Sequence, residues 1–245
     1  MNILMLAVML GFGALVGPAD AQAQVSPPPK RPIREVLTSA KLPSVVDAPL
    51  HFKLLSVKVT AGQTTNYAGA NGMLYVVSGS LAVATDGESK NVRKGEGVFL
   101  PGGKRAMLKA TGKDPAAFLH YLLLPTTELN KAAESEPAIV TELYRTTDPI
   151  PGLQAGPYEF TLTRVTVLPG TPPPPMHHRS GAALYYVFGN GAIGLQDKTE
   201  PRPQGAVQYE PYTLVHSWAN IGTTPLILIQ ANISQEGVPE IIFIR

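Results

Sequence analysis

The chain of 245 residues contains no cysteine. That excludes disulfides, thiolate metal ligands and lipid attachment through sulfur. Any metal would have to rest on His, Met, Asp or Glu. Charge is also sparse: Asp, Glu, Lys and Arg make up 16% of residues, and the net charge is +2. With no Lys/Arg-rich run, nothing points to nucleic acid or an anionic membrane as a partner. One uncharged apolar run stands out, Ile3–Gly17. At 15 residues it is short of the ~20 that cross a bilayer. Small-x-small sites follow at Ala19–Ala21 and Ala21–Ala23, so residues 1–21 are expected to be a secretory signal. No base precedes the run. The expected location is periplasmic or secreted, with no membrane association once the signal is removed.

Turn formers are abundant, with 23 Gly and 24 Pro, and 44% of residues are hydrophobic. This suits a folded chain of short elements. Gln24–Val36 is Pro-rich and basic and reads as part of an extended linker or arm over 22–50. From Phe52 the texture becomes β. Leu54–Thr60, Met73–Thr85 and Gly97–Gly103 are apolar or alternating and are separated by Gly, Asn and Pro. The same texture returns at Glu159–Gly170 and runs to Ile241–Ile244. The one candidate helix is Thr127–Glu136, which has little apolar periodicity.

The two β regions are an internal repeat at an offset of 110. Tyr75 falls on Tyr185, Gly79 on Gly189, Gly95 on Gly205, Pro101 on Pro211, Gly112 on Gly222 and Pro115 on Pro225. All six positions are turns or strand starts. The reading is two β domains, 51–125 and 158–245, joined by a linker over 126–157.

The repeat resembles the cupin superfamily, and the chain resembles a two-domain bicupin over about Phe52 to Ser234. The second cupin motif is Gly, five residues, Pro-x-Gly, two residues, His, three residues, Asn. Here Gly205, Pro211, Thr213, His216 and Asn220 match it, with Thr213 in place of Gly. In the first domain the spacing is kept by Gly95, Pro101 and Gly103, but Ala106 and Ala110 stand at the His and Asn positions. The first motif is His-x-His, three or four residues, Glu, six residues, Gly. Counting back from Gly189 gives Ala182, His178 and Met176. Counting back from Gly79 gives Gly72, Ala68 and Asn66. The resemblance therefore implies an all-β protein of two tandem jelly-roll-like double-stranded β-barrels. It implies that the first barrel has no metal ligands, and it carries ligand positions over only to His178 and His216.

Alternation along a strand refines this. If His178 faces inward, Met176 joins it and His177 points away, unless a bulge intervenes. Three arrangements stay open. Met176, His178 and His216 would suit copper. His177, His178 and His216 would suit Zn, Fe, Ni or Cu with an open position. In the third there is no metal and Met176 is core filling. Glu210 is a candidate catalytic acid or base, or a ligand. Tyr185, Tyr186, Tyr209 and Trp218 are candidate pocket walls, about half of them inward. His51 and His120 read as ordinary structural or surface residues. Gly189–Gly194 fits GxGxxG but leads into β sequence, so it is a turn.

The resulting expectation is an exported protein that binds a small organic molecule in the second barrel. The family's metal-dependent oxidoreductases would add dioxygenase-type chemistry with a transition metal. The alternative is a metal-free, non-catalytic binding protein for a sugar or other small ligand. A third role is structural, with the first barrel as packing partner. Cupins often dimerise through barrel-edge strands, so a homodimer is a candidate assembly.

Overall fold

The structure is a computed structural model that describes residues 31–43 and 48–244. The expected signal lies outside them. Strands β1 to β10 are Ile33–Leu42, Leu50–Val59, Thr64–Ala68, Asn71–Ser78, Ser80–Thr85, Glu88–Arg93, Gly97–Leu100, Arg105–Ala110, Ala116–Pro125 and Ile139–Arg145. Strands β11 to β19 are Tyr158–Val167, His177–Arg179, Ala182–Phe188, Gly191–Gly194, Thr199–Arg202, Val207–Glu210, Ser217–Asn220, Leu226–Gln235 and Ile241–Phe243. The candidate helix is absent. Thr126–Glu128 forms one 3-10 turn, and the rest of that stretch is irregular.

Two five-stranded sheets dominate, in the orders β10-β2-β9-β4-β7 and β1-β11-β18-β13-β16. Behind the first lies the sheet β3-β8-β5-β6. Behind the second lie the sheets β15-β14-β17 and β12-β19. Each half therefore closes into a cupin-type jelly-roll barrel, as the repeat implied. Equivalent turns carry equivalent strain relief. Gly79 and Gly189 adopt φ of 72° and 93°, where a side chain is disfavoured. A Cβ at either would lie within 3 Å of the carbonyl oxygen of Pro115 or Pro225, respectively.

The central strands of the large sheets are buried on both faces: β9 reads as a nearly continuous apolar run, whereas β18 begins with Leu226–Ile229 and then alternates apolar residues with the buried polar Gln230, Asn232 and Ser234. Phe52, Leu54, Tyr121 and Leu123 pack against Phe160, Leu162, Leu184 and Ile233 in one core between the barrels. The alternate residues fill the barrels themselves. The first interior holds Val57, Leu74, Phe118 and Leu122, and the second Val165, Tyr185, Ile193 and Leu228. Tyr121 crosses between the halves and donates to the Ile229 carbonyl at 2.8 Å.

The halves also exchange edge strands. β1 precedes the first barrel but pairs with β11 of the second. β10 precedes the second barrel but pairs with β2 of the first. The Pro-rich arm is thus ordered into a strand from Ile33 on, and Arg164 ties it down through Glu35 at 2.5 Å.

Candidate functional site

β12 is only three residues long, yet it sets the site. His177 and Arg179 are 4% and 1% exposed, while His178 between them is half-buried. Backbone pairing fixes this phase. His177 and His216 exchange N–H···O bonds in both directions at 2.9 Å, and their rings lie 4.5 Å apart. The expectation that His178 and Met176 face His216 is therefore reversed. His178 turns its Nδ1 to the Arg179 carbonyl at 2.9 Å, and Met176 is half-buried outside the cluster. The family spacing allowed three or four residues before the acidic position. With four residues (178–181) between the second His position and Ala182, that position falls on His177, and that is the phase the fold adopts. The turn back into β13 needs Gly181, because a Cβ there would lie 2.0 Å from the Ile233 carbonyl oxygen.

Glu210 anchors the interior. It ends β16 opposite Ala183 and is fully buried. Arg179 donates from Nε to its Oε2 at 2.9 Å, and Trp218 donates from Nε1 to its Oε1 at 2.7 Å. His216 Nε2 lies 2.9 Å from the same Oε1 but off the line of a hydrogen bond. Burial alone would raise the Glu210 carboxyl. The charges of Arg179 and His216 and the donated hydrogen bonds outweigh it and hold the group at about 2. The Arg179 guanidinium lies 5.3 Å above the Tyr185 ring, and Tyr185 and Trp218 sit 5.5 Å apart. Arg179 escaped sequence reading because the family pattern assigns nothing to its position. An Arg two residues after an inward His was the available signal.

Beside this cluster lies a cavity of about 540 Å³. Val165, Leu228, Tyr185 and Trp218 form its apolar side, and Pro172–Pro175 and Phe243 form its opposite wall. His177 and Arg179 lie at its inner end, and Arg31 and Arg34 of the arm at its mouth. Of the expected aromatic walls, Tyr185 and Trp218 line the cavity. Tyr186 and Tyr209 face the core between the barrels instead, as alternation on β13 and β16 requires. The interior of the second barrel also holds buried polar atoms with no hydrogen-bond partner among the described residues. They belong to Thr163, Arg179 (Nη1), Ser180, His216, Gln230 and Asn232. Buried groups of this kind ordinarily find a partner in protein, water or ligand.

The donor atoms of these residues decide whether a metal could rest among them. The Nδ1 atoms of His177 and His216 each donate to a carbonyl, of Pro175 and Leu214 respectively, both at 3.0 Å. That leaves the His177 Nε2 as a free ring nitrogen, while His216 Nε2 is already turned to Glu210 Oε1 at 2.9 Å. A third ligand would have to be Glu210, whose two oxygens already hold a guanidinium and an indole N–H. Among the described residues, no group of three or more His, Asp or Glu is placed to hold a metal ion. A fixed cation already stands against the only carboxylate of the cluster. The donor set does not fit a resident transition metal.

The first barrel differs. Ala106 and Ala110 are packed in an apolar core. His120 is not a surface residue: it is fully buried, its Nδ1 bonded to Glu134, which the loop after β9 inserts into the barrel. The Tyr67 ring lies 4.7 Å away, and Gly72 leaves the room His120 Nε2 needs. His51 is buried between Thr126 and Thr146.

No family model matches the sequence, and no curated protein matches it. Solved structures do. An oxalate decarboxylase structure from Bacillus subtilis aligns with a TM-score of 0.56 at 15% identity, covering 83% of this chain and 79% of that chain. Another, from a study of the Mn(II) centres of that enzyme, has a TM-score of 0.56 at 13% identity and covers 91% and 80%. AerE from Microcystis aeruginosa has a TM-score of 0.53 at 13% identity and covers 78% and 96%. At such identities these likenesses show the fold alone. The manganese belongs to the decarboxylase.

Proposed function

We propose that this chain is an exported binding protein that takes a small organic molecule in the cavity of its second barrel, with the first barrel and the exchanged strands as its frame. The observation that carries this is the cavity itself. Its size is within the range of small-molecule sites. Its walls are apolar and aromatic, and its inner end presents a few convergent polar groups. The proline run stiffens one wall, so the site is largely formed before a ligand arrives. Export is supported by the uncharged run Ile3–Gly17 and the small-residue sites after it.

A second reading, metal-dependent oxygenation, has one observation in its favour: two imidazoles with their Nδ1 atoms tied to carbonyls. It would require Glu210 to give up Arg179 and Trp218. The fixed guanidinium favours the first reading, in which His177, Arg179 and Glu210 shape and polarise a metal-free pocket.

A thermal-shift screen of small organic acids, amides, alcohols and sugars tests the proposal. A ligand that binds only the folded chain raises its midpoint in proportion to ln(1 + [L]/Kd). Val167 lines the cavity, and Val167→Phe should abolish those shifts by filling it. Shifts that survive the substitution would place the ligand elsewhere.

A further inference from the structure

We infer that the ligand of this cavity is a monocarboxylate with an apolar, ring-sized body, its carboxylate seated on Arg179 and its body against Trp218. The inference rests on the reading of the cavity as a ligand site.

Arg179 carries it. The residue is 1% exposed and lines the cavity. Its Nε is committed to Glu210, but its Nη1 has no partner among the described residues. An unpartnered guanidinium nitrogen at that depth costs free energy unless an acceptor reaches it. An anionic oxygen makes the stronger, charge-assisted bond.

Charge decides the valence. The cavity lining contains three guanidinium groups, Arg31, Arg34 and Arg179, and no carboxylate. Glu210 offsets Arg179, and Glu240 offsets Arg34 at 2.8 Å. Of the lining guanidinium groups only Arg31, at the mouth, is left without a carboxylate partner among the described residues, and that single charge matches a monoanion better than a phosphate dianion. The walls decide the body. Val165, Leu228, Pro173 and Phe243 offer no hydrogen bonds from their side chains to a polyol. Tyr185 and Trp218 offer ring faces.

The chain supplies its own reporter, since Trp218 is its only Trp and lines the site. Full-length protein is titrated with phenylacetate, 3-phenylpropionate and cyclohexanecarboxylate, then with the corresponding neutral amides and inorganic phosphate, and Trp emission is followed. The acids should give saturable changes at concentrations at least about tenfold lower than their amides, which corresponds to about 1.4 kcal/mol. Phosphate should give none. In Arg179→Met the acids should lose that advantage while the amides keep their affinity. Because that variant can fail to fold, the acid–amide comparison in the unaltered chain stands without it. Equal binding of acids and amides, or tighter binding of phosphate, overturns the monocarboxylate and leaves the cavity as a ligand site. No saturable response to any probe overturns both readings.

Discussion

Arg179 donates from Nε to Glu210 at 2.9 Å inside the second barrel, and neither side chain is more than 1% exposed. A buried pair of this kind is not a large net source of stability. Each ion loses its hydration, and attraction only offsets that loss. Breaking it from one side is another matter.

Arg179→Met should therefore destabilise the fold by about 3–5 kcal/mol, because it strands the Glu210 carboxylate. Arg179→Met with Glu210→Leu should recover most of that. Denaturant titration followed by far-UV circular dichroism reads both. A single variant as stable as the parent would show that the pair is not buried in solution.

Removing the guanidinium should also open a metal site. In Arg179→Ala, Glu210 Oε2 is freed while its Oε1 stays beside His216 Nε2, with the His177 ring next to them. That makes a two-histidine, one-carboxylate set. The variant should bind about one Co²⁺ per chain with a visible ligand-field band, and the parent should not. Equal binding by both chains would mean that Arg179 is not the obstacle to a metal.

Acid should act in two windows. Burial, with His216 and Arg179 adding to it against the Pro175 carbonyl, lowers His177 from 6.5 to about 4. The unfolded chain then takes up a proton that the folded chain refuses. Stability is full above pH 6.5 and falls as the pH drops to 4. Glu210, held at about 2 against an ordinary 4.5, adds stability above pH 4.5 that is lost toward pH 2. Melting midpoints from pH 8 to pH 3 should trace this, and His177→Asn should flatten the upper window. An unchanged slope in that variant contradicts the assignment.

The exchanged strand β1 makes a further demand. Deleting the chain up to Leu42 exposes the edge of β11 and removes Arg31 and Arg34 from the cavity mouth. The truncated chain should melt several degrees lower and self-associate through the bared edge. Size-exclusion chromatography beside a melting curve checks both. A monomer of unchanged stability would mean that the strand is dispensable.

Much of this was legible in the sequence, for identifiable reasons. Turn glycines and prolines repeat at a fixed offset because the same tight approaches recur, as Gly79 and Gly189 show. The two-faced burial of β9 is written in its long apolar run, while in β18 only Leu226–Ile229 carries that signal. The site was only half legible. His216 and Glu210 could be named because they stand in a motif of near-complete spacing. The phase of β12 could not, since one residue of slip exchanges its faces, and that phase is set by backbone pairing of His177 with a residue 39 positions away. Glu134 and the exchanged strands were hidden for the same reason: irregular or Pro-rich stretches carry no periodicity that shows where they dock.

The most direct test of the account is ligand-observed saturation-transfer NMR on the full chain with phenylacetate, repeated with Val167→Phe. Transfer to the ring protons should be strong in the parent and absent in the filled variant. Equal transfer to both chains, or none to the parent, would contradict a ligand site behind Trp218.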